Sequence, residues 1–141
     1  MYERILVPVD SSKNSKDALK EAIKIAKLTG GKITAIHAYV SWTPALIDDM
    51  HAWRAALKNA AKTILVDAQN IATAEDFKVE TLLVEGNPVQ EIVKTANSGN
   101  FDLIVMGARG VSKIEEILLG SISSGVLKKA TSPVLIIKEK N

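Results

Sequence analysis

The sequence contains no cysteine. This absence excludes a disulfide framework, a thiolate metal site, an iron–sulfur cluster and a cysteine nucleophile, and it is compatible with the cytosol. The chain also lacks any apolar run close to the roughly 20 residues that a membrane-spanning helix requires. Its first residues lead into a strand-like segment and show no signal-peptide pattern. We therefore expect a cytoplasmic protein that has no membrane partner.

An excess of charge of one sign is also missing. Lys and Arg number 18 and Asp and Glu number 16, so the formal net charge is +2 at pH 7. This value is too small to indicate a nucleic-acid-binding surface. Hydrophobic residues make up 47% and charged residues 24% of the 141 residues, which is the balance of an ordinary globular domain. We expect one domain over residues 1–141 and no nucleic-acid partner.

Short apolar runs alternate with amphipathic segments along the whole chain. The run over 5–9 is apolar at every position, as in a strand that is covered on both faces. Strands are predicted over 5–9, 32–39, 78–85, 103–106 and 134–137, and helices over 15–29, 53–71, 88–97 and 121–130. Five strands separated by four helical connections predict βαβ units and a parallel sheet.

Two of these helices carry specific sequence signals. The predicted N-cap of the first helix is one of Ser11, Ser12, Asn14 and Ser15, and the predicted stop is Gly30 with Gly31. In the second helix, the stripe expected to face the core is Trp53, Leu57, Ala60, Ile64, Ala68 and Ile71.

A glycine-bearing segment follows the fourth predicted strand. Gly107 and Gly110 come directly after that strand, and Gly120 with Ser121 opens the last helix. Glycines permit positive φ and let backbone N–H groups approach a ligand, while a helix start adds unpaired N–H groups and partial positive charge. Further donors are available from Arg109, Ser121 and Ser123. The pattern predicts a cradle for phosphate.

A purely structural role is the alternative for these glycines. A single glycine usually marks a turn, but the spacing of three glycines and Ser121 between a strand and a helix favours the cradle. The segment is not a Walker A loop, because the chain has no Gly-Lys-Ser/Thr. It is also not the G-x-G-x-x-G turn of dinucleotide-binding enzymes, because that turn follows the first strand.

The spacing Gly107-x2-Gly110-x9-Gly120-Ser121 resembles the nucleotide-binding signature of the universal stress protein family. The resemblance extends along the chain through segments 5–10, 36–38, 86–88, 102–107 and 132–136. It implies a three-layer, Rossmann-like α/β/α domain of the adenine nucleotide alpha hydrolase type. Its five-stranded parallel sheet would have the order 3-2-1-4-5.

The resemblance to the ATP-binding branch of that family also implies a set of binding residues. Main-chain groups at Ala38 would hold the adenine. The part of the site that holds the adenine, the ribose and the metal ion would be lined by Pro8, Val9 and Asp10. The phosphates would be held by Gly107, Arg109, Gly110, Gly120, Ser121, Ile122 and Ser123. The implied ligands are ATP and Mg²⁺, and no catalytic residue is assigned.

Asp10 has two compatible interpretations. At the end of a strand it can bind Mg²⁺ together with phosphates, because magnesium typically takes one or two carboxylates and keeps its waters. It can also act as the N-cap of the first helix. Many relatives have Asp-Gly-Ser where this chain has Asp10, Ser11 and Ser12, so the local turn is expected to differ.

Other candidate groups are assigned structural roles. His37 lies inside a predicted strand, so we interpret it as packed and hydrogen-bonded rather than as a ligand or base. His51 is expected to face solvent. Asp48 and Asp49 are expected to stabilise the positive end of a helix dipole.

The strand Val134–Ile137 lies at an edge in the implied strand order and carries no charge. An uncharged exposed edge favours pairing with another chain, so we expect a homodimer joined through this strand, as the family also suggests. The leading hypothesis is an ATP-binding regulatory dimer in the stress response with unknown protein partners. Slow ATP hydrolysis stays open, although no residue is an obvious base for the attacking water. The alternative is a nucleotide-free interaction dimer of the same fold.

Overall fold

The computed structural model describes residues 1–41, 50–109 and 119–139. In these residues strands and helices alternate as the sequence predicts. The elements are β1 (Arg4–Pro8), α1 (Lys13–Thr29), β2 (Lys32–Tyr39), α2 (Met50–Ala74), β3 (Glu80–Glu85), α3 (Pro88–Ser98), β4 (Leu103–Gly107), α4 (Ser121–Lys129) and β5 (Val134–Ile137).

The five strands form one parallel sheet with the order β3-β2-β1-β4-β5, which confirms the predicted fold class and strand order. In the central register, Ile5 of β1 lies between Ile33 of β2 and Leu103 of β4. Strand order reverses between β1 and β4. Their carboxyl ends therefore lie side by side, where open α/β sheets usually bind ligands.

The sheet is covered on both faces, which explains why β1 is apolar at consecutive positions. Ile5 and Val7 are fully buried in a core with residues of α1 and α2, whereas Leu6 is fully buried in a second core with residues of α3 and α4. Successive side chains of a strand point to opposite faces, so a central strand of a three-layer domain needs apolar residues at every position.

The first helix begins at Lys13, two residues earlier than predicted, because Ser12 is its N-cap. The Ser12 Oγ atom accepts a hydrogen bond of 3.1 Å from the Ser15 N–H group. At the other end Gly30 adopts a left-handed conformation with φ 76°, and its N–H group donates to the Ala26 carbonyl. The predicted glycine stop is therefore confirmed.

The apolar stripe of α2 differs from the prediction by one residue in places. Ala60 is exposed, whereas Ala61 and Leu65 are buried. The predicted stripe was ambiguous because apolar residues occupy neighbouring positions of this helix, so two helical phases fit the same sequence. Ala68 is buried as predicted.

None of the helices in the described part of the chain has the length and apolar character needed to cross a bilayer.

Asp102 connects the start of β4 to the start of β1 through hydrogen bonds. These starts lie at the end of the sheet opposite to the carboxyl ends of β1 and β4, which we call the β1 and β4 exits. Its two carboxylate oxygens accept hydrogen bonds from the N–H groups of Glu3, at 2.9 Å, and Arg4, at 3.1 Å. Partial burial by itself raises the pKa of Asp102, but these backbone donors outweigh it and hold the pKa below its ordinary value.

We predict that the Asp102→Asn variant has a flatter dependence of stability on pH than the wild type. The carboxylate stabilises the fold above its unfolded-state pKa of about 3.9, and this contribution is lost as the pH falls through the lower folded-state pKa. Asparagine does not titrate. Urea unfolding at a series of pH values below about 5 should show a steeper loss for the wild type, and equal slopes would contradict this role.

Candidate functional site

A cavity of about 320 Å³ opens at the carboxyl ends of β1, β2 and β4. Its volume lies within the range of about 300–1,000 Å³ that is typical of small-molecule sites. Ten of the predicted binding residues line it, namely Pro8, Val9, Asp10, Ala38, Gly107, Arg109, Gly120, Ser121, Ile122 and Ser123. The eleventh, Gly110, lies outside the described residues.

One wall of the cavity is apolar. Ile36, Ile92 and Met106 line it, and all three are buried in the core between the sheet and the helices α3 and α4. Pro88, the first residue of α3, lies beside them. Sequence reasoning missed these residues because their patterns are those of an ordinary core and a helix start. Only the strand order shows that these residues lie together at the carboxyl edge of the sheet.

The beginning of α4 also lines the cavity. Its N-cap, Gly120, has no side chain to accept from the helix, whereas α1 and α3 are capped by Ser12 and Asn87. The first N–H groups of a helix have no acceptor within it, so those of Ser121, Ile122 and Ser123 remain for a ligand. All three residues line the cavity.

Two backbone N–H groups directly after β4 are used differently from the prediction, while Gly110 lies outside the described residues. The Ala108 N–H donates to the Ile137 carbonyl at 2.9 Å, and the Arg109 N–H donates to Asn14 Oδ1 at 2.8 Å. The expectation that these N–H groups point at a ligand is therefore wrong. The hydrogen bonds between β4 and β5 continue one residue beyond β4 and engage the Ala108 N–H. The buried side chain of Asn14 engages the Arg109 N–H.

Positive φ is not the reason for Gly107 and Gly120, the two predicted site glycines that the structure describes. Among the described residues, the glycines with positive φ are Gly30 and Gly86, so the prediction is wrong for Gly107 and Gly120. Gly107 is required by close packing, since a Cβ atom there would lie 2.8 Å from both Cγ and Oδ1 of Asn14. Such a distance is far below ordinary van der Waals contact.

Ser123 contributes to the site through its backbone rather than its hydroxyl. The residue is 3% exposed, and its Oγ lies 2.7 Å from the Ala108 carbonyl and 3.2 Å from the Gly120 carbonyl, to which it donates. Ser121 in contrast is exposed at the mouth of the cavity. Its hydroxyl is therefore the better placed of the two to meet a ligand.

Asp10 stands at the β1 exit and holds the turn that leads into α1. Its Oδ1 accepts from the Ser12 N–H at 2.8 Å, and its own N–H donates to Ser15 Oγ at 2.9 Å. Ser12 caps the helix, so the alternative role of Asp10 as the N-cap is wrong. The turn engages one of the two carboxylate oxygens. Within the described ranges, no group of three or more His, Cys, Asp or Glu residues could hold a metal ion alone.

His37 is hydrogen-bonded, as predicted. Its Nδ1 lies 2.7 Å from the Val9 carbonyl, and because a carbonyl only accepts, Nδ1 donates. The bond ties β2 to the β1 exit beside the cavity. His51 is exposed on α2, also as predicted, while Asp48 and Asp49 lie outside the described residues.

Comparison with known proteins shows the family to which the chain belongs. A family model described as "Universal stress protein family" matches residues 1–138. The chain belongs to the universal stress protein family. It is similar to the protein MJ0577 of Methanocaldococcus jannaschii, with 33% identity and a TM-score of 0.88 over 100% of this chain and 99% of that one.

Two further structures similar to this universal stress protein hold an adenine nucleotide. One is a universal stress protein in complex with cAMP, with 30% identity and a TM-score of 0.70 over 96% of both chains. The other is the universal stress protein of Archaeoglobus fulgidus in complex with dAMP. It has 27% identity and a TM-score of 0.75 over 97% of this chain and 98% of that one.

We predict that Ser123→Ala and Ser121→Ala affect stability differently. The first removes a buried hydroxyl and leaves the Ala108 carbonyl with one donor fewer, which should lower the free energy of unfolding by about 1–2 kcal/mol. The second changes an exposed side chain and should alter it by less than about 0.5 kcal/mol. Urea unfolding of both variants tests this difference, and equal stabilities would contradict the structural role of Ser123.

Proposed function

We propose that this universal stress protein binds ATP in the cavity at the β1, β2 and β4 exits and acts as a nucleotide-responsive regulatory protein of the cytoplasm in the stress response. One observation carries the proposal. The α4 N-terminus, which has no side-chain cap, and an apolar wall open onto the same cavity, so an anionic group and a flat ring can be bound together.

The α4 end of the cavity favours the phosphates. Three backbone N–H groups, those of Ser121, Ile122 and Ser123, combine with the positive end of the helix dipole, which stabilises an anion. Arg109 lines the same side and adds a permanent positive charge. Lys128 and Lys129 lie in the last turn of α4, where they complement the negative end of the dipole.

The β2 end of the cavity favours the adenine. The Ile36 carbonyl accepts from the Val9 N–H at 2.8 Å and so points toward β1. Ala38 is two residues further along the strand, so its N–H and carbonyl also point toward β1. The last residue pair between β1 and β2 is Pro8 with Ile36, so these two groups of Ala38 lie beyond the paired part of β1. A donor beside an acceptor suits the edge of adenine, which carries an amino group next to ring nitrogens.

Asp10 fits the Mg²⁺ that would accompany ATP. Magnesium in nucleotide sites is commonly held by one or two carboxylates together with the phosphates, so one carboxylate at the cavity is sufficient. The ion would neutralise phosphate charge. The Asp10 carboxylate would hold it from the β1 exit, while its Oδ1 contact with Ser12 fixes the direction of the side chain.

We assign binding rather than turnover to this site. Phosphoryl transfer to water requires a group that orients the attacking water, and we assign no residue to that task. The comparison proteins in complex with cAMP and dAMP support an adenine nucleotide as the ligand class. ATP, rather than a monophosphate, is supported by the three N–H groups and the arginine.

We predict that Mg-ATP stabilises the protein and that the Ser121→Asp variant abolishes this effect. Ligand at about 100 times Kd adds roughly 2.7 kcal/mol, which corresponds to a rise in Tm of about 5–10 °C for a domain of this size. Aspartate at the first position of α4 suits the helix dipole but repels phosphate, so the variant should fold normally and not bind.

Ser121→Asn is the matched control, because it has nearly the shape of aspartate without the charge. It should keep most of the thermal shift. If ATP, ADP and AMP all leave the Tm of the wild type unchanged, the nucleotide-free interaction dimer is the correct reading. If Ser121→Asp shifts as strongly as the wild type, the phosphates do not lie at α4.

We further propose that the protein forms a homodimer through β5. The two edges of the sheet differ. The β3 edge begins and ends with the exposed residues Glu80 and Glu85, which discourage pairing, whereas β5 carries no charge and its Leu135 is 38% exposed. An uncharged edge strand is stabilised by pairing with a second copy.

We predict that Leu135→Lys gives a monomer. The charge would be buried at the proposed interface, where desolvation of an unpaired lysine opposes association. Thr81→Lys places the same charge on the other edge and should leave the association state unchanged. Sedimentation equilibrium of the wild type and both variants measures this. A monomeric wild type, or a dimeric Leu135→Lys variant, would contradict an interface at β5.

A further inference from the structure

Asn14 is a buried polar residue that the nucleotide site described above does not use. It lies in the first turn of α1 and is 2% exposed. Burying a side-chain amide is costly unless its donor and acceptor are both satisfied. Here both are, since Nδ2 donates to the Ile137 carbonyl at 3.0 Å and Oδ1 accepts from the Arg109 N–H at 2.8 Å. Asn14 thus connects three elements.

The two partners of Asn14 are distant in sequence, by 95 residues for Arg109 and 123 residues for Ile137. Ile137 ends β5, and its carbonyl also accepts from the Ala108 N–H. Gly107 makes this packing possible, because a Cβ atom at that position would collide with the amide of Asn14. Asn14 therefore contacts the chain both at Gly107, the last residue of β4, and at Arg109 in the bend after it.

The same bend holds the beginning of α4. The Ala108 carbonyl accepts from the Gly120 N–H at 2.7 Å and from the Ser123 hydroxyl at 2.7 Å. The Ala108 carbonyl and the Arg109 N–H belong to one peptide group, so the beginning of α4 and Asn14 are bonded to the same peptide unit. A shift of the bend would move the proposed phosphate donors of α4 and the arginine relative to each other.

We infer that Asn14 is a positioning residue for the phosphate-binding half of the nucleotide site, an inference that rests on the proposed function. Asn14 fixes the main chain of Arg109, and through the Ala108 peptide it sets where α4 begins. The adenine half consists of the Ala38 main chain and the apolar wall of Ile36, Ile92 and Met106. The Asn14 amide bonds go to Arg109 and Ile137 and to none of these residues. Loss of the Asn14 amide should therefore weaken the binding of phosphate groups and leave the binding of the nucleoside unchanged.

Calorimetric titration of Asn14→Ala with Mg-ATP and with adenosine tests the inference. Removing the side chain leaves the Arg109 N–H without its acceptor, and we expect the affinity for ATP to fall about tenfold. The affinity for adenosine should stay within about twofold of the wild type. An unchanged affinity for ATP, or an equal loss for both ligands, would overturn the positioning role.

Ser132→Ala is the matched control. The Ser132 hydroxyl donates to the Phe101 carbonyl at 2.8 Å, near the start of β4 and away from the cavity. This variant also loses one partly buried hydrogen bond to the main chain, but it should bind ATP like the wild type. A tenfold loss here would show that general destabilisation explains the Asn14→Ala result, and it would overturn the inference.

A second measurement does not depend on the ligand. Hydrogen exchange of the Arg109 N–H should be at least about tenfold faster in Asn14→Ala, while exchange in the β1 core should change only with global stability. Exchange at the wild-type rate would overturn the inference even if ATP binding fell. Should Asn14→Ala fail to fold, Gly107→Ala displaces the same amide and should give the same selective loss of ATP affinity.

A wild type that binds neither ATP nor adenosine would contradict the proposed function itself, together with the positioning role. A wild type that binds ATP, with an Asn14→Ala variant that binds it equally well, would contradict only the positioning role. The two failures are therefore distinguishable in one set of titrations.

Discussion

The reversal of strand order between β1 and β4 is the constraint on which the rest of the structure depends. From β1 the chain continues outward to β2 and β3, and from β4 it continues to β5 on the other side. The connections therefore diverge and leave a crevice between the two exits. The lining of this crevice combines an apolar wall from the core with a helix end that has no side-chain cap.

The beginning of α4 has no side-chain cap, whereas the chain caps both α1 and α3 with side chains. Ser12 and Asn87 satisfy N–H groups of α1 and α3, and such caps typically contribute about 1 kcal/mol each. At α4 the position is Gly120, which has no side chain to act as a cap. The phosphates of the proposed ligand would supply acceptors for the first N–H groups of α4. A ligand that binds only the folded state stabilises it, so a nucleotide bound as we propose would raise the free energy of unfolding.

The sequence predicts much of this fold because its strongest signals are local. A run such as 5–9 is apolar at every position only when both faces of a strand are covered, and Gly30 ends a helix through its own φ. The phase of α2 was less determined, since neighbouring apolar residues fit two stripes. The role of Asn14 cannot be predicted from the sequence, because its hydrogen-bond partners Ile137 and Arg109 come together only in the folded chain. For the same reason the sequence places Gly107 at the site but does not reveal why a glycine is needed there. The reason is close packing against Asn14 rather than a positive φ.

A crystal structure of the protein grown with Mg-ATP tests the central claim most directly. Phosphate oxygens should lie about 2.7–3.2 Å from the backbone nitrogens of Ser121, Ile122 and Ser123. The adenine should rest on the apolar wall with its edge toward the main chain of Ala38. A nucleotide bound elsewhere, or one whose base rather than its phosphates meets α4, would contradict the account.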